Sequence, residues 1–276
     1  MQRLKEFAFT REDFERVRRL IRSCAGIALA EGKQEMVYSR LARRLRATGA
    51  ASFDVYLDQL ERSAADAEWQ AFTNALTTNL TSFFRESHHF PVLAAHARER
   101  TSMTVWCSAS STGEEPYSIA MTLCDAYGSL TPPVRIVATD IDTEVLATAA
   151  AGVYPEERVS GLNKAQLSRY FQKGRGAQEG KVRVREELRS LIEFRPLNLL
   201  GRDWNLRQPF DAIFCRNVMI YFDKPTQRQI LSRFLPLMKP DGLLFAGHSE
   251  NFLYVCDALR LKGKTVYELL KPQGVQ

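Results

Sequence analysis

Apolar positions in the first 80 residues recur at helical spacing. Phe14, Val17, Leu20 and Ile21 form one stripe behind Thr10-Arg-Glu-Asp, where a Thr N-cap precedes acidic first-turn residues. Val37, Leu41 and Leu45 form a second stripe between Met36 and Arg46, and related patterns cover Phe53 to Leu60 and Glu68 to Leu76. The spacing predicts an all-helical domain over residues 1–80. At Thr104 the period changes. Thr104 to Ala109 reads as a strand, followed by a Ser/Thr/Gly turn and a helix from Glu114 to Tyr127 with Pro116 in its first turn. Val134 to Asp140 is a second strand, Thr143 to Ala151 a helix, Phe210 to Asn217 a third strand and Pro225 to Met238 a helix. Gly242 to Gly247 and Thr265 to Leu270 read as the fourth and fifth strands. Strands alternating with helices predict an α/β domain over 98–276, its mostly parallel sheet covered on both faces.

Residues 155–196 break that rhythm. A polar, helix-like stretch to about Phe171 precedes Gly174-Arg-Gly176-Ala-Gln-Glu-Gly180; then Lys181 to Arg185 alternates strictly and Leu191 to Phe194 is apolar. The pattern predicts a small antiparallel β-subdomain inserted into the α/β domain. Residues 81–97 read as a linker that contributes to the site between the two domains.

The composition, 45% hydrophobic and 25% charged with 15 Gly and 11 Pro, excludes a disordered or collagenous chain. Apolar runs stay well short of the roughly 20 residues needed to cross a bilayer, and the charged N-terminus lacks a signal-peptide core. A cytoplasmic protein without membrane insertion is expected. The five cysteines and four histidines are scattered, without CxxC pairs or ligand spacing, so neither a disulfide framework nor a metal site is expected. The net charge of +6 is concentrated: residues 1–48 hold twelve Lys/Arg against six Asp/Glu, whereas the remainder holds twenty-six of each. Arg40, Arg43, Arg44 and Arg46 surround the apolar stripe of one helix, either as an ordinary solvated face or as a surface for an acidic partner.

Ligands of open α/β sheets bind outside the carboxyl ends of the strands. The loop after the first strand, Ala109 to Pro116, has one glycine, which fits either a tight strand-to-helix turn or close approach of backbone to a ligand. Asp140 ends the second strand, where a carboxylate can accept both ribose hydroxyls of an adenosine, while Asp142 suits a helix N-cap. Two acids, Glu115 and Asp140, would make a poor pyrophosphate site. They suit a cationic adenosine ligand such as S-adenosylmethionine. Arg216 leaves an apolar strand and must meet a carboxylate, from the protein or from a ligand. Asn79, Thr81 and Arg85 precede the sheet in a segment that can reach the cleft or serve as plain linker.

Several long motifs in order carry a resemblance. The stretches NLTSFFRE (79–86), STGEEPYSIAM (111–121), ATDIDTEVL (138–146), FDAIFCRNVMIYFDK (210–224) and LLFAGHSEN (243–251) resemble the chemotaxis receptor glutamate O-methyltransferases, the CheR family, over residues 10 to 270. The resemblance implies a Rossmann-like S-adenosylmethionine-dependent methyltransferase domain with a β-subdomain, preceded by the helical domain. It implies methyl transfer to glutamates on cytoplasmic helices of chemoreceptors, leaving S-adenosylhomocysteine, by a monomer recruited to membrane receptor arrays. It further implies that Asn79, Thr81, Arg85, Glu115, Asp140, Asn198, Leu199, Arg216 and Asn217 surround the cofactor. Tyr221 and Arg85 would then flank the transferred methyl, and Arg40, Arg43, Arg44 and Arg46 would face substrate. The loop of Gly174, Gly176 and Gly180 marks members whose β-subdomain takes a receptor C-terminal peptide. The rival reading, a methyltransferase acting on nucleic acid, wants stacking aromatics on the basic helix. Only Tyr38 lies there.

Overall fold

The computed structural model describes residues 5–63, 66–206 and 208–270. The amino-terminal domain comprises α1 (Arg11–Ala25), α2 (Gln34–Thr48), α3 (Phe53–Arg62) and α4 (Asp66–Leu76). Thr10 and Asp13 form a reciprocal capping box at the start of α1, and Ser52 caps α3 by accepting the Val55 amide at 3.2 Å. Phe14, Val17, Ile21, Val37, Leu41, Leu45, Phe53 and Phe72 close into one buried core. α1 stops at Gly26, which takes a left-handed φ of +71°. A Cβ there would lie 2.5 Å from Leu200 of the second domain, so this glycine serves both the helix end and the seating of one domain on the other.

The second domain runs α5 (His89–Arg98), β1 (Met103–Cys107), α6 (Glu114–Tyr127), β2 (Val134–Asp140), α7 (Thr143–Ala151), β3 (Val153–Pro155), α8 (Lys164–Tyr170) and β4 (Phe171–Lys173). It continues with β5 (Lys181–Val184), α9 (Glu186–Arg189), β6 (Ile192–Pro196), β7 (Phe210–Cys215), α10 (Lys224–Phe234), β8 (Met238–Ala246), β9 (Leu259–Gly263) and β10 (Val266–Leu269). Seven strands form one sheet in the order β6-β2-β1-β7-β8-β10-β9. β6, β2, β1, β7 and β8 are mutually parallel, and β10 is antiparallel to both of its neighbours. Within β7, Ala212 and Phe214 enter the core on one face while Ile213 and Cys215 enter the core on the other. Chain order reverses between β1 and β7, which places the expected ligand crevice outside their carboxyl ends.

Three elements depart from the sequence expectation. Ile192–Pro196 is not part of the inserted sheet; it pairs in parallel with β2, with Ile136 opposite Ile192 and Asp140 opposite Pro196. The small sheet is β3-β5-β4 and ends at Val184. A four-residue apolar run has the same local pattern in either sheet, and only the pairing with β2 decides. The linker assigned to 81–97 contains α5, whose Phe90, Leu93 and Ala97 are buried in the main core; Pro91 and two histidines mask its period. β9 buries Leu259 alone, so as an edge strand it shows no alternation to detect.

Polar contacts seat the helical domain over the carboxyl edge of the sheet. Asn198 Nδ2 donates to the Cys24 carbonyl at 2.7 Å, the Ala28 amide donates to the Tyr221 carbonyl at 3.0 Å, and Arg22 pairs with Asp223 at 2.6 Å. Because Gly26 sits inside this seam, Gly26→Ala combines left-handed strain with a clash. It is expected to lower stability by about 1–2 kcal/mol, read as an earlier urea midpoint; an unchanged midpoint would show that the seam tolerates a side chain.

Candidate active site

A cavity of about 270 Å³ lies between the domains, outside the carboxyl ends of β1, β2 and β7. Its floor comes from Ser108, Ala109 and Ser111 after β1, Asp140 and Ile141 after β2, and Leu197 to Leu199 after β6. The chain after β7 adds Arg216 to Val218 together with Tyr221 and Phe222. Segment 77–85 and residues Ala28, Leu29, Lys33 and Met36 of the helical domain close it over. Asn79, Thr81, Arg85, Glu115, Asp140, Asn198, Leu199, Arg216, Asn217 and Tyr221 all line this one cavity. Gly113 does not; a Cβ on it would meet Ala149 and Tyr154 at 2.8 Å, so the loop's glycine serves strand-to-helix packing.

Two aspartates share the end of β2 and divide the work. Asp142 caps α7 through its Oδ1, while its Oδ2 accepts Thr77 Oγ1 at 2.7 Å and Asn79 Nδ2 at 2.8 Å. Asp140 accepts the amides of Ser111 at 2.8 Å and Asp142 at 3.0 Å, and it has no cationic partner among the described residues. Burial pushes its carboxyl up to about 6, against the pull of those backbone amides. Asp140 is therefore a buried acceptor facing the cavity, with no ion-pair partner of its own among the described residues.

Arg216 is different. Its side chain is fully buried, Nη1 donates to Glu115 at 2.5 Å, and Nη2 donates to the carbonyl of Arg85 and lies 3.4 Å from Glu86. The carboxylate partner that the sequence demanded is thus supplied by the protein. Burial raises the Glu115 carboxyl, with Arg216 opposing, and Cys107 Sγ donates to its other oxygen at 3.3 Å. Of the two acids expected to face the ligand, Glu115 is already neutralised. Glu86 also accepts Asn217 Nδ2 at 3.1 Å and His248 Nδ1 at 2.9 Å. Burial works against its ionisation, but the bonds from His248 and Asn217 and the Arg216 charge win and hold it down to about 2.

Glu250, a residue the sequence reading passed over, fixes the loop that carries Asn217 and Tyr221. It is buried, and its two oxygens accept four backbone amides: Gly247 at 2.6 Å, Asn217 at 2.9 Å, Val218 at 3.0 Å and Met219 at 2.7 Å. An acid three residues after a strand-terminal glycine was the available signal. Phe84, Glu86, Ser111 and Asn217 all take left-handed φ near +50°. Such strain gathers where surrounding structure over-determines the backbone. Arg85, between two of them, donates to the Leu80 carbonyl at 2.7 Å. The Tyr221 hydroxyl has no hydrogen-bond partner among the described residues, and the two side chains are not bonded to each other.

The four arginines of α2 are unequal. Arg40 donates to the Thr77 carbonyl, Arg44 forms a two-point pair with Glu68 at 3.1 and 2.6 Å, and Arg46 pairs with Glu6 at 2.6 Å. Only Arg43 is exposed and without a partner among the described residues. Tyr38 packs against Phe9 and Phe53, so its ring is not presented for stacking. In the β-subdomain the Gly174 amide donates to Lys181 at 2.8 Å, and a Cβ on Gly174 would lie 1.9 Å from the Gln178 carbonyl oxygen. Gly176 and Gly180 take φ of +58° and +78° in the same turn.

Because Glu250→Gln leaves one acceptor oxygen and turns an NH₂ toward two amides, it is expected to destabilise the protein by about 2–4 kcal/mol. Urea unfolding measures this; a change under about 0.5 kcal/mol, the scale of an ordinary surface substitution, would mean the loop holds itself.

Two family models match the chain in the order of its domains. The CheR methyltransferase all-alpha domain covers residues 12–77, and the CheR methyltransferase SAM binding domain covers residues 79–267. The chain is 55% identical to the chemotaxis protein methyltransferase of Escherichia coli (strain K12), over 98% of this chain and 95% of that protein. It is 56% identical to the protein of the same description from Salmonella typhimurium, over 99% and 96%, and 54% identical to chemotaxis protein methyltransferase 2 of Pseudomonas aeruginosa, over 95% of each. Agreement of this extent across both domains, and across the seam that encloses the cavity, admits one conclusion: the chain belongs to the CheR methyltransferase family.

Proposed function

We propose that this methyltransferase esterifies glutamate side chains of chemoreceptors, with S-adenosylmethionine as donor and S-adenosylhomocysteine as product. The observation that carries the reading is Asp140, a buried carboxylate without a countercharge at the ligand end of β2. The donor set fits. Asp140 offers acceptors for a ribose diol, Leu199 gives an apolar wall, and Asn79, Thr81, Asn198, Arg216 and Asn217 stand around it as the remaining polar lining. When bound, S-adenosylmethionine supplies an electrophilic methyl on a positively charged sulfur.

What the protein must do is align and dry the site. A glutamate, with a pKa of about 4.3, is already ionised at neutral pH, so its oxygen can take the methyl without losing a proton. No general base is required, and the buried histidine and thiols near the site are not suited to act as one. His89 is buried and held down to about 3, by desolvation first and by the Arg216 charge second. Burial raises the Cys107 and Cys215 thiols far from reactivity. Arg85 positions the incoming carboxylate and Tyr221 orients it; alignment of this kind is worth about 7–11 kcal/mol. The roof from the helical domain excludes water as opposite charges cancel.

Arg43 is the cation of α2 available to an acidic receptor surface. The β-subdomain takes a receptor C-terminal peptide along β4, an edge strand whose Gln172 and Lys173 are exposed. The protein works in the cytoplasm as a monomer at membrane receptor arrays.

Methylation of a receptor cytoplasmic fragment with methyl-labelled donor tests the reaction. Label should leave as methanol on mild alkali, as a carboxyl ester does; alkali-stable label would reject a glutamate ester. Asp140 is ionised above a pH of about 6 and protonated below it. Donor affinity measured by calorimetry should therefore fall as pH drops from 7.5 to 5. Asp140→Asn should bind about 10- to 100-fold more weakly and with a flat pH response, the loss of a charged hydrogen-bond acceptor. Arg43→Ala should raise the KM for receptor about threefold without changing donor affinity, whereas Arg44→Ala should act on stability; equal effects of both on KM would contradict the pairing described.

A further inference from the structure

The inserted β-subdomain reaches the donor cavity from behind. Between β3 and α8 the chain makes one tight turn, Glu156–Val159, in which Val159 is buried in the main core and Arg158 is exposed. The Arg158 guanidinium bridges two segments. Its Nε donates to Glu114 Oε1 at 3.0 Å, and its Nη2 meets the same oxygen, Thr112 Oγ1 at 3.4 Å and the Thr81 carbonyl at 3.3 Å. Glu114 is fully buried, and its other oxygen accepts Thr112 Oγ1 at 2.6 Å. The Tyr154 hydroxyl of β3 adds a bond to the Thr112 carbonyl at 2.7 Å. One step further in, Ser111 and Thr81 line the cavity itself. Ser111 holds Asp140 through its amide and donates its hydroxyl to the Asn79 carbonyl at 3.0 Å. It does so at a φ of +47°, a conformation that a serine keeps only where its surroundings enforce it. Segment 79–81 and the loop after β1 are thus tied twice, by Ser111 from within the site and by Arg158 from outside it.

We propose that Arg158 is a positioning residue for donor binding: it sets segment 79–81 against the loop that presents Ser111 to Asp140. The inference rests on the S-adenosylmethionine reading and assigns part of donor binding to the inserted subdomain. An exposed ion pair by itself contributes little. Here the acceptors are a buried carboxylate on one segment and a backbone carbonyl on the other, and a planar fork of donors can meet both at once. A lysine ammonium, a single point of charge, would satisfy Glu114 and release Thr81. Once released, segment 79–81 and the Ser111 amide would have to be ordered by the ligand, and that ordering is subtracted from its affinity.

Calorimetry with S-adenosylhomocysteine, urea unfolding and receptor methylation test the proposal on the intact chain. Arg158→Lys should keep the wild-type urea midpoint to within the effect of a surface substitution, yet bind S-adenosylhomocysteine about 5- to 10-fold more weakly. KM for a receptor cytoplasmic fragment, measured at saturating donor, should stay within about twofold. The pH response separates positioning from bulk stability. The Ser111 amide pulls the Asp140 carboxyl down against burial, so a looser amide lets that carboxyl rise. The loss of affinity on acidification, centred at about 6 in the wild type, should therefore begin at higher pH in Arg158→Lys. In Arg158→Gln the buried Glu114 loses its cation and the urea midpoint should fall; adding Glu114→Gln should restore the midpoint but not the affinity. Wild-type affinity in Arg158→Lys, an unmoved pH response, or affinity restored in Arg158→Gln/Glu114→Gln would overturn the proposal. So would a raised receptor KM with unchanged S-adenosylhomocysteine affinity, which would place Arg158 at the receptor surface instead. Failure of the underlying reading is separately visible, because the wild type itself would then bind no S-adenosylhomocysteine.

Discussion

Arg216 carries a full positive charge to the end of a strand whose every other residue is buried, and the site is organised around satisfying it. A guanidinium taken out of water without partners is prohibitively costly, and removing one partner of such a buried pair costs about 3–5 kcal/mol. Three groups from two parts of the chain meet the demand: Glu115 at the start of α6, and Glu86 with the carbonyl of Arg85 in the segment after the helical domain. Segment 79–86 is long, polar and poor in secondary structure, yet it cannot wander, because leaving would strand a buried charge. The left-handed conformations of Phe84 and Glu86 are the local expression of that hold.

The same logic is repeated one loop away with the opposite sign. Glu250 is an anion in a nest of four amides, and it fixes the turn that delivers Tyr221. A buried cationic anchor and a buried anionic anchor therefore set these segments of the cavity wall, joined through Asn217, which donates to both Glu86 and Glu250. The helical domain bonds to the Tyr221 turn through Ala28, and Thr77 and Asn79 beyond α4 bond to Asp142 at the end of β2. The roof is held to the floor by backbone carbonyls at Cys24 and Tyr221 and by the side chains of Asp142 and Asp223.

How much of this was legible in the sequence depends on the range of the interaction. Helix caps and apolar stripes are local, and α1, α6 and α7 lie where Thr10, Pro116 and Asp142 put them. The residues at strand ends were legible because a parallel sheet sends its ligand loops to one edge. Pairings between distant segments were not. Whether Ile192–Pro196 joined the small sheet or the large one turned on β2, some fifty residues earlier. The α2 arginines looked alike as a charge run, yet Arg40, Arg44 and Arg46 are spent on Thr77, Glu68 and Glu6. Glu250 read as one polar residue in a loop because its four donors are visible only once two loops are side by side.

The expectation of an acid-lined pocket changes its meaning in this light. A site that must attract a sulfonium and also admit a carboxylate faces opposed demands, since uncompensated acids favour the first and repel the second. The fold gives each demand its own residues. Beside β2, Asp140 has no ion-pair partner among the described residues, whereas Glu115 and Glu86 are matched by Arg216, and Arg85 and Lys33 line the same cavity free of ion pairs among the described residues. An unpaired carboxylate suits a cation and unpaired cations suit an anion. Pairing Glu115 with Arg216 removes an acid that would repel an incoming carboxylate, which is why the buried Arg216 pair bears on function as much as on stability.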